Sequence, residues 1–308
     1  MLIEASRAPS PFLGEVAGHL TSAGGKRIRP AVTLLASRLG NSSDPKTIMA
    51  AAAIEITHMA TLYHDDVIDE GDLRRGVPSA NAKWGNTVAI LAGDFLFARS
   101  SGLAAEVGGR VPRILADAIA SVVEGQLLQL EADFDVSRHL DHYLRTISGK
   151  TAALFEAAAR IGALLGSLDG TAESAVASFG RSFGMAFQVA DDLLDLTASE
   201  EELGKPPGSD LREGVYNLPV IWAIENRPGL TGLLGSTDVD VDEVRKIILE
   251  TGAFDRAMQL AASHAQDALG HLTTVERGEA RDALENLTRL VVERIPDPRT
   301  AGGAAKRA

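Results

Sequence analysis

Residues 58–69 read His-Met-Ala-Thr-Leu-Tyr-His-Asp-Asp-Val-Ile-Asp, and residues 185–196 read Met-Ala-Phe-Gln-Val-Ala-Asp-Asp-Leu-Leu-Asp-Leu. Each stretch carries Asp-Asp-x-x-Asp, at Asp65, Asp66 and Asp69 and, about 125 residues later, at Asp191, Asp192 and Asp195. At 3.6 residues per turn, the first and last Asp of each run lie one turn apart on one helix face. His58 and Thr61 continue the face of Asp65 and Asp69, and Gln188 shares a side with Asp191, Asp192 and Asp195. Carboxylates set in apolar helices are costly unless a positive charge compensates them. Two such clusters suggest facing walls of a cavity that holds hard cations. Mg²⁺ suits such walls, because it takes one or two carboxylates together with substrate phosphates and water.

The rest of the chain agrees with a helical scaffold. It has 308 residues, 45% of them hydrophobic but only 5% aromatic, and Ala, Leu, Ile, Glu and Arg fill its segments. Apolar residues recur at helical spacing near 11–22, 28–39, 45–69, 84–106, 112–131, 137–147, 150–166, 171–198, 215–226, 239–250, 253–271 and 275–294. Gly, Pro, Ser and Asp clusters separate them, and no alternating run reads as a strand. The expectation is an all-α, single-domain bundle of ten to twelve helices over residues 1–298, with a disordered tail at 299–308. A net charge of −12 argues against nucleic-acid binding. The absence of cysteine excludes disulfides, zinc–thiolate sites and thiol nucleophiles, and agrees with a cytoplasmic location. Residues 1–7 lack the basic-then-apolar pattern of a signal peptide. Apolar stretches are broken by Glu55, His58, Asp94 or Gln188, so no membrane span is expected, although contact with a membrane surface stays compatible. Thr237 to Asp242 lacks the glycine and terminal Glu of a calcium loop and reads as a solvated helix start.

Short basic motifs accompany the aspartates. Gly24-Gly25-Lys26-Arg27-Ile28-Arg29-Pro30 puts three cations between glycines and a helix-starting proline. Arg74-Arg75-Gly76 follows the first cluster, Lys205 follows the second, and Gly149-Lys150-Thr151 offers a cation and a hydroxyl at a helix start. Lys binds phosphate as a point charge and Arg as a fork. Clustered aspartates and scattered cations in an acidic chain imply one or two small, multiply phosphorylated substrates bridged by Mg²⁺.

With Lys26-x-x-Arg29-Pro30, His58 through Gly76, Gly149-Lys150-Thr151 and Gln188 through Asp195 in this order, the chain resembles the trans-isoprenyl diphosphate synthases. The resemblance runs from about residue 20 to 225 and implies an isoprenoid synthase-like bundle around a deep central cavity. It implies that Asp65 and Asp69 hold two Mg²⁺ and Asp191 a third, supported by Asp66, Asp192 and Asp195. Arg74, Lys150, Gln188 and Lys205 would then bind an allylic diphosphate. Lys26, Arg29, His58 and Arg75 would bind isopentenyl diphosphate, and Thr151 would lie beside the reacting carbons. Ionisation of the allylic C–O bond leaves charge on diphosphate, the isopentenyl double bond attacks the cation, and the released diphosphate takes the proton. No protein nucleophile is required, and an apolar pocket must exclude water.

One departure stands out. The family often has Lys where Asp210-Leu211-Arg212-Glu213-Gly214 is followed by Val215, which leaves Arg212 as the nearest replacement charge. In the family, side chains four and five positions before the first Asp form the floor of the hydrocarbon tunnel. Here these are Thr61 and Ala60, with Thr57 one turn deeper, all small, which favours a long product, geranylgeranyl or beyond. The resemblance also implies a homodimer. Two alternative readings are a terpene cyclase or head-to-head synthase, which would lack the Lys26–Pro30 and Arg74-Arg75 motifs, and a non-catalytic partner subunit, which would have lost aspartates.

Overall fold

The computed structural model describes residues 1–40, 44–198 and 207–296 and is helical almost throughout. The helices are α1 (Leu2–Ala5), α2 (Pro11–Ser22), α3 (Ile28–Ser37), α4 (Lys46–Ile68), α5 (Ala80–Trp84), α6 (Asn86–Val107), α7 (Val111–Leu130), α8 (Leu140–Ile147), α9 (Ala153–Leu165), α10 (Gly170–Thr197), α11 (Ser209–Arg212), α12 (Leu218–Asn226), α13 (Val241–Glu250), α14 (Ala253–His271) and α15 (Glu279–Glu293). Helix starts follow local chemistry: the Ser10 side chain caps α2, whose first residue is Pro11, and Asp240 accepts from the Glu243 amide at the start of α13. Lys205 and the tail 299–308 lie outside the described residues.

The described residues form two compact units, one within 1–120, 154–180 and 271–284, the other within 121–153, 181–270 and 285–296. In the first, α4 packs mainly on α6 and α3, and Val16, Leu20, Ile54, Ile56, Met59, Leu96, Phe155 and Phe179 are fully buried. In the second, Tyr143, Phe183, Val189, Leu193, Tyr216, Leu218 and Phe254 form the interior.

Three details depart from the sequence reading. A short antiparallel ladder pairs β1 (Leu73–Arg74) with β2 (Val77–Pro78), in the register Leu73 to Pro78 and Arg74 to Val77. Its two-residue loop has positive φ at both Arg75 (54°) and Gly76 (75°), the condition for a primed turn matched to strand twist, so the Arg-Arg-Gly motif is itself the reversal. Gly149-Lys150-Thr151 does not begin a helix. Residues 148–152 form a π turn that joins α8 to α9 without a break. Finally, α6 is long and apolar enough over an 18-residue window to meet the composition test for a membrane span despite Asp94 and Arg99. It packs Ala89, Ala92, Gly93, Leu96, Ser100 and Leu103 inward, whereas Ile90 and Leu91 remain exposed.

Candidate active site

In the first unit the Asp65–Asp69 run closes α4. Asp66 is fully buried, Asp65 is partly exposed, and Asp69 caps the helix in solvent, its amide bonded to the Asp65 carbonyl at 2.8 Å. The β-turn folds Arg74 back onto Asp66, and Arg74 Nε and Nη2 both reach Asp66 Oδ1, at 2.6 and 2.5 Å. Burial raises the Asp66 pKa while Arg74 opposes the rise. The second oxygen, Oδ2, is buried with no hydrogen-bond partner. A buried carboxylate oxygen without a donor is expensive, and a hard cation would satisfy it.

Arg75 takes the opposite direction from its neighbour. Its Nη1 donates to the Leu20 carbonyl at 3.1 Å and to the Gly24 carbonyl. A Cβ on Gly25 would lie 2.8 Å from the guanidinium carbon, so the glycine admits the side chain. In the same stretch Lys26 is exposed, and Arg29 lies over the Phe155 ring at 4.4 Å, a cation–π contact. Arg27, the third cation of this motif, pairs with buried Glu55 at 2.6 Å and donates to the Thr21 carbonyl at 3.0 Å. The His58 pKa is driven well down, first by burial and then by Arg29, Arg75, Arg74 and Arg27. The imidazole is therefore neutral in a positive field, which suits an incoming anion.

Below this, the residues expected to line a tunnel are close-packed. Ala60 and Thr57 are fully buried, and Thr61 is partly exposed, its hydroxyl donating to the His58 carbonyl at 2.8 Å. Thr57 Oγ1 meets Ser100 Oγ on α6 at 2.6 Å, and Ser100 donates to the Ala53 carbonyl at 2.9 Å.

In the second unit one hydrogen-bonded chain links the π turn to the second Asp run. Thr151 Oγ1 donates to Gln188 Oε1 at 2.6 Å, Gln188 Nε2 to Asp192 Oδ1 at 2.8 Å, and Tyr143 OH to Asp192 Oδ2 at 2.6 Å. Asp192 is buried, and burial together with Asp210 pushes its pKa up to about 8 against the two hydrogen bonds. A bound divalent cation would reverse that balance. Lys150 Nζ donates to Gln129 Oε1 on α7 at 2.9 Å. The turn is set against α7 through two glycines: a Cβ on Gly125 would lie 2.1 Å from the Lys150 amide nitrogen, and one on Gly149 would lie 2.7 Å from the Ser121 carbonyl oxygen.

The other two aspartates are engaged differently. Asp191 is the exposed member and pairs with Arg294 at 3.1 Å. Asp195 is buried and accepts from Ser209 Oγ at 2.8 Å and the Asp210 amide at 3.2 Å, so it anchors the α11 loop. Arg212 is exposed and donates to the Pro207 carbonyl at 2.9 Å. A cavity of about 610 Å³ in this unit is lined by Glu124, Gly125, Arg145, Ser148, Arg181 and His264 among others, and by none of Lys150, Thr151, Gln188 or the aspartates.

Among the described residues, no three His, Asp or Glu side chains converge into a ready metal cage. The donors available at the two Asp runs are carboxylate oxygens, which suit a hard divalent cation. Tyr143, Gln129, Glu55, Ser209 and Arg294 were given no role by the motif reading, and of these only Glu55, a charge inside an apolar helix, left a signal in the sequence.

A family profile described as polyprenyl synthetase matches residues 10–251. The chain belongs to the polyprenyl synthetase family. It is 39% identical over 284 residues to the nonaprenyl diphosphate synthase of Mycobacterium tuberculosis, covering 90% of this chain and 85% of that one. It is 41% identical over 287 residues to heptaprenyl diphosphate synthase component 2 of Geobacillus stearothermophilus, covering 92% and 90%. A crystal structure of a polyprenyl synthase from Caulobacter crescentus, complexed with calcium and isoprenyl diphosphate, superposes with a TM-score of 0.90 at 37% identity, over 96% of this chain and 93% of that one.

Proposed function

We propose that the protein is a trans-polyprenyl diphosphate synthase, a prenyltransferase of isoprenoid biosynthesis. It joins isopentenyl diphosphate head-to-tail to an allylic diphosphate, giving a geranylgeranyl or longer product. The observation that carries the reading is geometric: one tight turn sends Arg74 onto the buried Asp66 carboxylate and Arg75 onto the Leu20 and Gly24 carbonyls, which sets an arginine-rich corner against the first Asp run. Lys26, Arg29, His58 and Arg75 bind the isopentenyl diphosphate. Arg74, Lys150 and Gln188, with Lys205, bind the allylic diphosphate.

Asp65, Asp66 and Asp69 and, in the second run, Asp191, Asp192 and Asp195 are the residues that would hold Mg²⁺, three ions in all. When bound, the ions supply positive charge to the leaving diphosphate. The chain's own part is to orient and shield. Arg74 holds the Asp66 carboxyl in place and opposes the rise in its pKa, and the Thr151–Gln188–Asp192–Tyr143 chain fixes the Thr151 hydroxyl, whose role in this reading is to lie beside the reacting carbons. As the allylic C–O bond breaks, the arginines and Lys150 stabilise the charge gathering on diphosphate oxygens. The isopentenyl double bond then forms the new C–C bond, and its proton passes to the released diphosphate. Thr57, Ala60 and Thr61 are small, so this stretch of α4 presents no bulky side chain to stop a growing product.

The functional unit is residues 1–298, acting in the cytoplasm as a homodimer, with peripheral contact to a membrane for release of the apolar product. Exposed Ile90 and Leu91 on α6 and Val123 and Leu127 on α7 support association through apolar helix faces. The caesura between this reading and a subunit that needs a partner, as the name component 2 implies for the Geobacillus protein, is activity of the purified chain alone. Incorporation of labelled isopentenyl diphosphate with Mg²⁺ and an allylic primer, lost with EDTA and in Asp65→Ala, supports the proposal. No incorporation with any allylic primer contradicts it.

A further inference from the structure

Arg294 follows directly on the last residue of α15, and no motif contains it. Its guanidinium is nevertheless held at three points. Nε donates to the Val291 carbonyl at 3.3 Å, the guanidinium carbon lies 4.7 Å from the centre of the Phe187 ring, and Nη2 reaches Asp191 Oδ1 at 3.1 Å. Phe187 and Asp191 are one turn apart on the same face of α10, so ring and carboxylate together form a seat for one planar cation. The Arg294 side chain is 22% exposed and Asp191 53% exposed, so the seat opens to solvent on the carboxylate side.

A divalent ion that takes Asp191 Oδ1 must displace this guanidinium. We propose that Arg294 is a tethered competitor for the Asp191 carboxylate, and so sets the divalent-cation concentration at which the second Asp run loads. The inference rests on the reading of Asp191 as a metal ligand. Phe187 and the Val291 carbonyl make the competition local: they keep the displaced side chain beside the carboxylate, ready to return when the metal leaves. Ion pairs with this much solvent access contribute little, and the effect on metal affinity is about two- to five-fold. Added salt shrinks it through screening.

The test is binding of Mn²⁺, another hard cation that accepts oxygen ligands, to the full chain without substrate, read from the loss of the free-ion EPR signal. Arg294→Gln is expected to bind Mn²⁺ about two- to five-fold more tightly at low salt, with the difference fading as KCl is added. Arg294→Lys, which keeps the charge, is expected to stay close to the wild type and guards against a folding effect of the first variant. Asp191→Asn separates the two claims. If Asp191→Asn leaves Mn²⁺ affinity unchanged, the metal reading of Asp191 fails and the proposal with it. If Asp191→Asn weakens binding while Arg294→Gln is unchanged or weaker, the competition alone is overturned.

Discussion

Gly125→Ala adds one methyl group at the place where α7 touches the π turn. The new Cβ would lie 2.1 Å from the Lys150 nitrogen, 2.8 Å from the Gly149 carbonyl carbon and 2.8 Å from the Lys150 Cα. All three are backbone atoms, so no side chain can rotate away. Restoring an ordinary contact of 3.4 Å requires the turn and α7 to separate by about 1.3 Å. Overpacking of this kind costs about 1–3 kcal/mol. The separation also moves Lys150 away from Gln129 and Thr151 away from Gln188, and a displacement of about 1 Å at a reacting group can cost on the order of 100-fold in rate. The expected result is a folded variant with a lower melting temperature and a kcat reduced by about two orders of magnitude. The assay is steady-state incorporation of labelled isopentenyl diphosphate beside a thermal melt. Wild-type kcat in Gly125→Ala would falsify the claim that the π turn positions catalytic groups.

Arg74→Met leaves Asp66 buried without its cation, and the expected loss is about 3 kcal/mol in urea unfolding. Much of it should return in Arg74→Met/Asp66→Asn, and an unchanged urea midpoint in the single variant would count against the pair. The raised Asp192 pKa predicts a falling branch of stability: the folded chain keeps near pH 8 a proton that the unfolded chain loses near pH 4, so stability is lost as pH climbs towards 8. The depressed His58 acts in the opposite sense and only below its ordinary value near 6.5, so the metal-free melting temperature should decline between about pH 6.5 and 8, and the slope should flatten in Asp192→Asn. A flat or rising wild-type profile in that window would sink the assignment. Thr61→Phe, at a partly exposed position of α4, is expected to shorten the products with little loss of turnover. Unchanged product length would remove Thr61 from the tunnel.

The long helices were legible because their apolar faces repeat at 3.6 residues and their ends carry glycine, proline or a capping side chain. The α10 bounds differ from the periodicity by one residue at each end, and α14 agrees at both. The π turn was misread because Ser148-Gly149 has the composition of a break between two helices; what marks it is the contact of Gly149 with Ser121, which only the fold creates. The hairpin at Arg74 was hidden by its length, since two-residue strands have no alternation to read. The aspartates and basic motifs stood out as charges in apolar surroundings. Their supports did not: Tyr143 lies 49 positions from Asp192 and Arg294 lies 103 from Asp191, so neither contact leaves a local trace. Helix α6, with one face on α4 and exposed Ile90 and Leu91 on another, has nearly the composition of a membrane span, although Asp94 breaks the run.

The central claim is elongation: repeated addition of isopentenyl units by one chain with small residues at Thr57, Ala60 and Thr61. The direct measurement is incubation of the purified protein with Mg²⁺, labelled isopentenyl diphosphate and farnesyl diphosphate, followed by dephosphorylation and chromatography of the alcohols. The account predicts products extended beyond the primer to geranylgeranyl or longer, abolished by EDTA. A single product no longer than the primer, or none, would contradict it.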